Sequence, residues 1–215
     1  MQRIKVWDLP VRLFHWSLVV LVAAAWVTQE ANLMDWHVRC GTAILALLLF
    51  RVIWGFAGSD TARFGRFLRS PAAALRHLSH LRRREADREI GHNAAGGWMV
   101  LVMLALLGVQ AGTGLFSNDD GNTEGPLMHL VDKEQSDWLS KVHALNFNLV
   151  LGVIVLHVLA IGAYAVFKRQ NLVRPMLTGT KAMEGEVVAP RLVSPVWALA
   201  ALAAAVGIVV WVVGA

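Results

Sequence analysis

The chain has 215 residues, enough for one domain, and is 56% hydrophobic and 16% charged with a mean hydropathy of +0.52, which excludes a soluble domain of ordinary composition. A net charge of +5 and a pI near 10.0 would suit a nucleic-acid binder, but the charges sit in short blocks between long apolar runs and read as membrane-orientation signals, so no nucleic acid is expected. The single cysteine, Cys40, excludes an intrachain disulfide, a CxxC pair and covalent haem attachment through CxxCH.

Residues 1–12 carry three positive charges and one negative, and a first apolar helix follows over about 11–28. A basic start before an apolar run also fits a signal peptide, with Ala23 to Ala25 resembling a cleavage site. Its tryptophans, its histidine and the further spans behind it favour a retained helix I. After a brief acidic link containing Glu30 and Asp35, helix II runs over about 36–56, with His37 at its start and Arg51 near its end.

The longest connection follows. From Arg51 to His92 nine arginines face four acids, a net +5. Within it, PAAALRHLSHLRRR from Pro71 begins with a helix-compatible proline and strings Leu75, Leu78 and Leu81 beside arginines. This pattern predicts a short amphipathic helix on an anionic membrane surface. Helix III is expected over about 94–116, followed by a loop with six acids and two lysines, net −4. Helix IV spans about 141–167. The segment Lys168 to Arg191, with five basic and two acidic residues, leads to helix V over about 193–213, which lacks histidine and is expected at the periphery.

Basic segments favour the cytoplasmic side of a membrane. One orientation satisfies every link: the N-terminus and the II–III and IV–V connections inside, the two acidic links and the C-terminus outside. Trp7, Trp36, Trp54, Trp98, Trp138, Trp197 and Trp211 fall near the ends of the spans, where interfacial aromatics belong.

The histidines carry the chemistry. His143 and His157 lie fourteen residues apart in helix IV, a separation of roughly 21 Å that returns to within about 40° of the same face. Ionisable groups at membrane depth are costly and are functional by default. With the orientation above, depth pairs His15 with His157 near the inner face and His37 with His143 near the outer face. Two such pairs suit two stacked, non-covalently held haems, and two axial imidazoles favour electron transfer over oxygen binding. For any single histidine a hydrogen-bonded core or interface role is the alternative. Gly108, Gly112 and Gly114 of helix III would make room for a flat macrocycle or simply for close helix packing.

Other residues are less specific. His92 suits a quinone-site group or a propionate contact, with a cap or interface role as the alternative. Arg51 suits an inner haem propionate, with a snorkelling side chain as the alternative. His77 and His80 read as surface residues, His129 as a loop residue, and Arg12 as a topology charge.

The segments VWDLPVRLFHW, WHVRCG, GHNAAGGWMVLVMLALL with GTGLF, and VHALNFNLVLGVIVLHV resemble, in order and spacing over residues 4–167, the prokaryotic cytochrome b561 superfamily. The likeness is to the branch containing b-type cytochrome subunits of nickel–iron hydrogenases. The resemblance implies an all-α integral membrane four-helix haem-binding bundle within residues 1–170, and leaves 171–215 as a cytoplasmic linker and fifth transmembrane helix. It places ligands for two haems b at His15, His37, His143 and His157. It also implies a respiratory-chain protein of the bacterial inner membrane that exchanges electrons between the quinone pool and a periplasmic redox partner, a cytochrome c or hydrogenase-like enzyme. The family's GHNP reads GHNA here, with Ala94 in place of proline. Two other functions stay open: a stand-alone quinone-linked oxidoreductase acting on a small species such as superoxide, and a haem-free membrane assembly subunit. Contact with membrane lipid is required, and a homo-oligomer is allowed.

Overall fold

A computed structural model of the chain describes residues 2–79, 89–121, 123–183 and 185–214. In chain order they form strand β1 (Gln2–Lys5), helices α1 (Leu9–Glu30), α2 (Met34–Ala57), α3 (Phe64–Phe67), α4 (Pro71–Ser79), α5 (Ala94–Gly114), α6 (Lys133–Phe167) and α7 (Val173–Thr178), strand β2 (Thr180–Met183), and helix α8 (Pro195–Val213). Helices α1, α2, α5, α6 and α8 are long and apolar enough to cross a membrane. Much of their apolar surface stays uncovered: Val20, Leu145, Leu159, Val166 and Val210 are all exposed. That suits a lipid solvent, which leaves backbone polar groups to be satisfied within each helix. The protein is of the all-α membrane-bundle class, with one two-stranded ribbon among the described residues.

Side-chain caps set the helix starts. Asp8 Oδ1 accepts from Val11 N at 2.8 Å ahead of α1, and Asn93 Oδ1 accepts from Gly96 N at 2.8 Å ahead of α5. Ala94 is therefore the first residue of α5, the position at which proline is tolerated. The replacement of GHNP by GHNA leaves that start intact. Helix α6 begins at Lys133, well before the expected 141, because Asp132 Oδ1 accepts from Gln135 N at 2.8 Å and starts the helix outside the apolar run.

The chain divides into two compact units. The first comprises residues 1–13, 52–102 and 153–198; the second comprises 14–51, 103–152 and 199–215. In the first, β1 pairs antiparallel with β2, Gln2 opposite Met183 and Lys5 opposite Thr180. Ile4, Val6 and Met183 are buried beneath the ribbon. Gly179 ends α7 with φ +80°, and its carbonyl accepts from Val6 N and Trp7 N at 2.8 and 3.1 Å. A side chain there would meet Arg12 Nη1 and Trp7 O at about 3 Å, so both the turn and the space require glycine. Arg12, beyond any topological charge, donates to the carbonyls of Met176 and Leu177 at 3.3 and 2.5 Å, near the end of α7. Asp8 also accepts from the indole of Trp54 at 3.0 Å. Trp54 is 1% exposed, so it is a core residue and not the interfacial aromatic its sequence position suggests.

In the second unit the connection after α5 folds back on α6. Ser136 Oγ donates to Phe116 O at 2.7 Å, Ser140 Oγ donates to Asn118 O at 3.0 Å, and Asn118 Nδ2 donates to Asp137 Oδ1 at 3.0 Å. The ammonium of Lys133 bridges Asn118 Oδ1, Asp120 and Asp137 Oδ1. One internal cation thus gathers oxygens from both sides of the loop.

Candidate functional site

His37 stands in the first turn of α2, and its Nδ1 lies 2.8 Å from the Ala25 carbonyl of α1. His143, on α6, places Nδ1 2.9 Å from the Gln110 carbonyl of α5. A carbonyl can only accept, so Nδ1 carries the proton in both rings and the Nε2 lone pairs are left for another partner. The two rings lie close together within the second unit, with centroids 6.1 Å apart and planes at 79°.

Imidazole nitrogen binds first-row metals at about 2 Å, so two rings bound end-on to one metal have centres roughly 6 Å apart. The observed spacing fits an axial pair, as do the tautomers. A ligating histidine characteristically donates its other N–H to a carbonyl or carboxylate, which fixes the ring. Among the described residues no three His, Cys, Asp or Glu side chains converge as they would around a bare ion. A macrocycle that supplies its own equatorial nitrogens suits two axial donors.

Of the three glycines expected to make room, Gly114 has a defined task. A Cβ there would stand 3.0 Å from His143 Cε1 and 3.2 Å from its Nδ1, whereas nothing lies within 4 Å of such an atom at Gly108 or Gly112. Thr113 Oγ1 donates to Val109 O at 2.7 Å and lies 3.3 Å from His143 Nδ1.

The remaining expected ligands are disposed differently. His15 falls in the second unit and His157 in the first. Both are half-buried, and His15 packs edge-on against Trp16 at 5.0 Å. On α6, His143, Asn146, Val150, His157 and Tyr164 share the least exposed seam, the single face expected for the two histidines. Arg51 is 2% exposed. Its guanidinium therefore does not reach the surface as a snorkelling side chain's would, and a charge so buried requires anionic or carbonyl company.

His92 lies between Trp7 and Phe67, 4.6 and 4.7 Å from their ring centres. His77 differs from the surface residue expected: Nε2 is 2.5 Å from the hydroxyl of Tyr164, which also accepts from Asn93 Nδ2 at 2.6 Å. Leu75 and Leu78 of α4 are exposed, in keeping with a membrane-surface helix, while His80 and Leu81 lie outside the described residues. His129 is exposed in a 3-10 turn.

Three contributors escaped the sequence reading: Gln110, Asn146 and Tyr164. Gln110 and Asn146 stand out as amides within apolar runs, and Tyr164 is the only tyrosine in the chain. Each carries a signal, although none points to a partner.

Five helices fit to cross a membrane, and two close imidazoles on two of them, define a helical membrane protein with a candidate cofactor site. Residues 6–179 match the prokaryotic cytochrome b561 family, and the chain belongs to it. Membership makes it a multi-pass membrane b-type cytochrome that binds haem and transfers electrons. Comparisons with curated proteins and with solved structures returned no match.

Proposed function

We propose that the protein is a di-haem electron carrier of the bacterial inner membrane, linking the quinone pool to a periplasmic redox partner such as a cytochrome c or a hydrogenase-like enzyme. The single observation that carries the reading is the His37–His143 pair, with both Nδ1 atoms held by carbonyls and the rings 6.1 Å apart. These residues would hold the outer haem. His15 and His157 are assigned to the inner haem on depth and on the shared face of α6. Haem supplies one-electron chemistry, and this chain contributes axial ligands, burial and nearby charge.

Held by two imidazoles, a haem would supply electron transfer and not substrate binding, so function would rest on conduction. Arg51 is assigned to an inner propionate, for which a buried guanidinium is a suitable donor. Charge distribution supports an N-terminus in the cytoplasm and a C-terminus in the periplasm, since the first unit carries the basic links and the second the acidic ones. His92 is assigned to the quinone side. Exposed Asp119, Glu124 and Glu134 suit encounter with a basic partner.

The test is haem content of the detergent-purified protein by pyridine haemochrome. Two haems b per chain are expected, falling to one in His143→Ala and to one in His157→Ala, with His92→Ala retaining both. Two haems surviving in His143→Ala would refute the ligand assignment.

A further inference from the structure

We infer that Asn146, acting through Gln110, is a positioning residue that fixes the ring of His143 and thereby sets the reduction potential of the haem held there. The inference rests on the His37–His143 reading above. It begins with an amide that is expensive where it stands: Asn146 is 6% exposed, on a membrane helix, three residues after His143.

Both N–H groups of that amide are used, and both cross to α5. Asn146 Nδ2 donates to Leu106 O at 2.9 Å and to Gln110 Oε1 at 2.7 Å. Gln110 then accepts a second time, through its backbone carbonyl, from His143 Nδ1 at 2.9 Å. Residues three apart on α6 therefore grip one turn of α5, with every donor on one helix and every acceptor on the other. Leu106 O and Gln110 N close that turn in the ordinary helix ladder, so Asn146 holds both its ends. Asn146 thereby steadies the turn whose last carbonyl orients His143.

The same carbonyl tunes the ligand. An imidazole that donates its Nδ1 proton is a more basic donor through Nε2. A more basic ligand favours ferric over ferrous iron and holds the potential down. Loosening Gln110 would weaken that donation, raise the potential of one haem and alter the 79° relation between the rings.

A role limited to holding α5 and α6 together would lower stability and leave the potential of any retained haem unchanged. The experiment separates the two with Asn146→Leu, which removes both donated bonds, and Gln110→Leu, which removes Oε1 and keeps the backbone acceptor. Purified proteins retaining haem are titrated potentiometrically, with low-spin EPR of the oxidised state. In Asn146→Leu one of two transitions should rise by a tenfold change in ferric-to-ferrous ratio, about 59 mV for one electron. Its EPR g-values should move with it, the other haem should stay at its wild-type values, and Gln110→Leu should shift the same haem less. Unchanged potential and EPR beside a lower melting temperature, or an equal shift of both haems, would overturn the inference; should Asn146→Leu fail to assemble, Gln110→Leu carries the same decision. His143→Ala run in parallel keeps the two claims apart. If it retains both haems the ligand reading fails; if it loses one while the leucine variants are unshifted, only the positioning role fails.

Discussion

Two histidines of the second unit and two of the first are held in different ways. His37 and His143 each give an Nδ1 proton to a main-chain carbonyl, and their rings lie 6.1 Å apart. In the first unit His92 is packed between two aromatic rings and His77 is hydrogen-bonded to a tyrosine hydroxyl. What sets the proposed His37–His143 pair apart is a main-chain carbonyl at each Nδ1. A carbonyl fixes the tautomer and leaves Nε2 basic.

The sharpest way to break this contrast is to crowd one ring without touching it chemically. In Gly114→Val the new Cβ would lie 3.0 Å from His143 Cε1, before its two further methyl groups are counted. The ring must give way, and haem content should fall from about two per chain toward one, as in His143→Ala. A crowded glycine in the first unit behaves differently: Gly97→Ala meets Phe67 at 3.0 Å and should keep both haems. Full haem content in Gly114→Val would mean that His143 is not held where its ligand role requires.

The spans were legible because lipid imposes a length and a composition on each crossing helix, independent of its neighbours. The early start of α6 was legible in principle, since Asp132 and Gln135 have the spacing of a cap, but the apolar run drew the boundary at 141. The β1–β2 ribbon was not legible, for QRIK and TKAM are short and pair across almost the whole chain. Within the site, depth along the helices brought His37 and His143 together. Rotation was needed for the rest: which residues of α5 face His143 depends on helix register, which fixed the roles of Gln110, Asn146 and Gly114. Trp54 illustrates the same gap, since position along a span says nothing of the Asp8 carboxylate that receives its N–H.

Asp8 offers a stability counterpart in the first unit. Asp8→Ala removes the cap of α1, worth about 1 kcal/mol, and takes from the buried Trp54 indole an acceptor whose loss costs about 1–3 kcal/mol. A destabilisation of roughly 2–4 kcal/mol is expected by thermal or denaturant unfolding in detergent, with both haems retained at the temperature of purification. Asp8→Asn keeps an acceptor oxygen and should lose less. Equal loss in the two variants would show that charge, and not the hydrogen bonds, carries the effect.

The smallest effect belongs to the loop between α5 and α6, where Asp119 is held below the usual carboxylate range because the backbone N–H groups of Gly121 and, next, Thr123 donate to it. These bonds favour the ionised form, so their contribution to loop order is complete above the ordinary carboxylate value of about 3.9. It fades only as pH falls through the lowered folded value. Amide proton shifts of Gly121 and Thr123 should therefore titrate with a midpoint below about 3.9 and lose that transition in Asp119→Asn. The haem spectrum should not change across the same pH range, because Asp119 is exposed and bonded within its own loop. A midpoint at the ordinary value would leave Asp119 as a solvated charge, available for docking but without a part in shaping the loop that presents it.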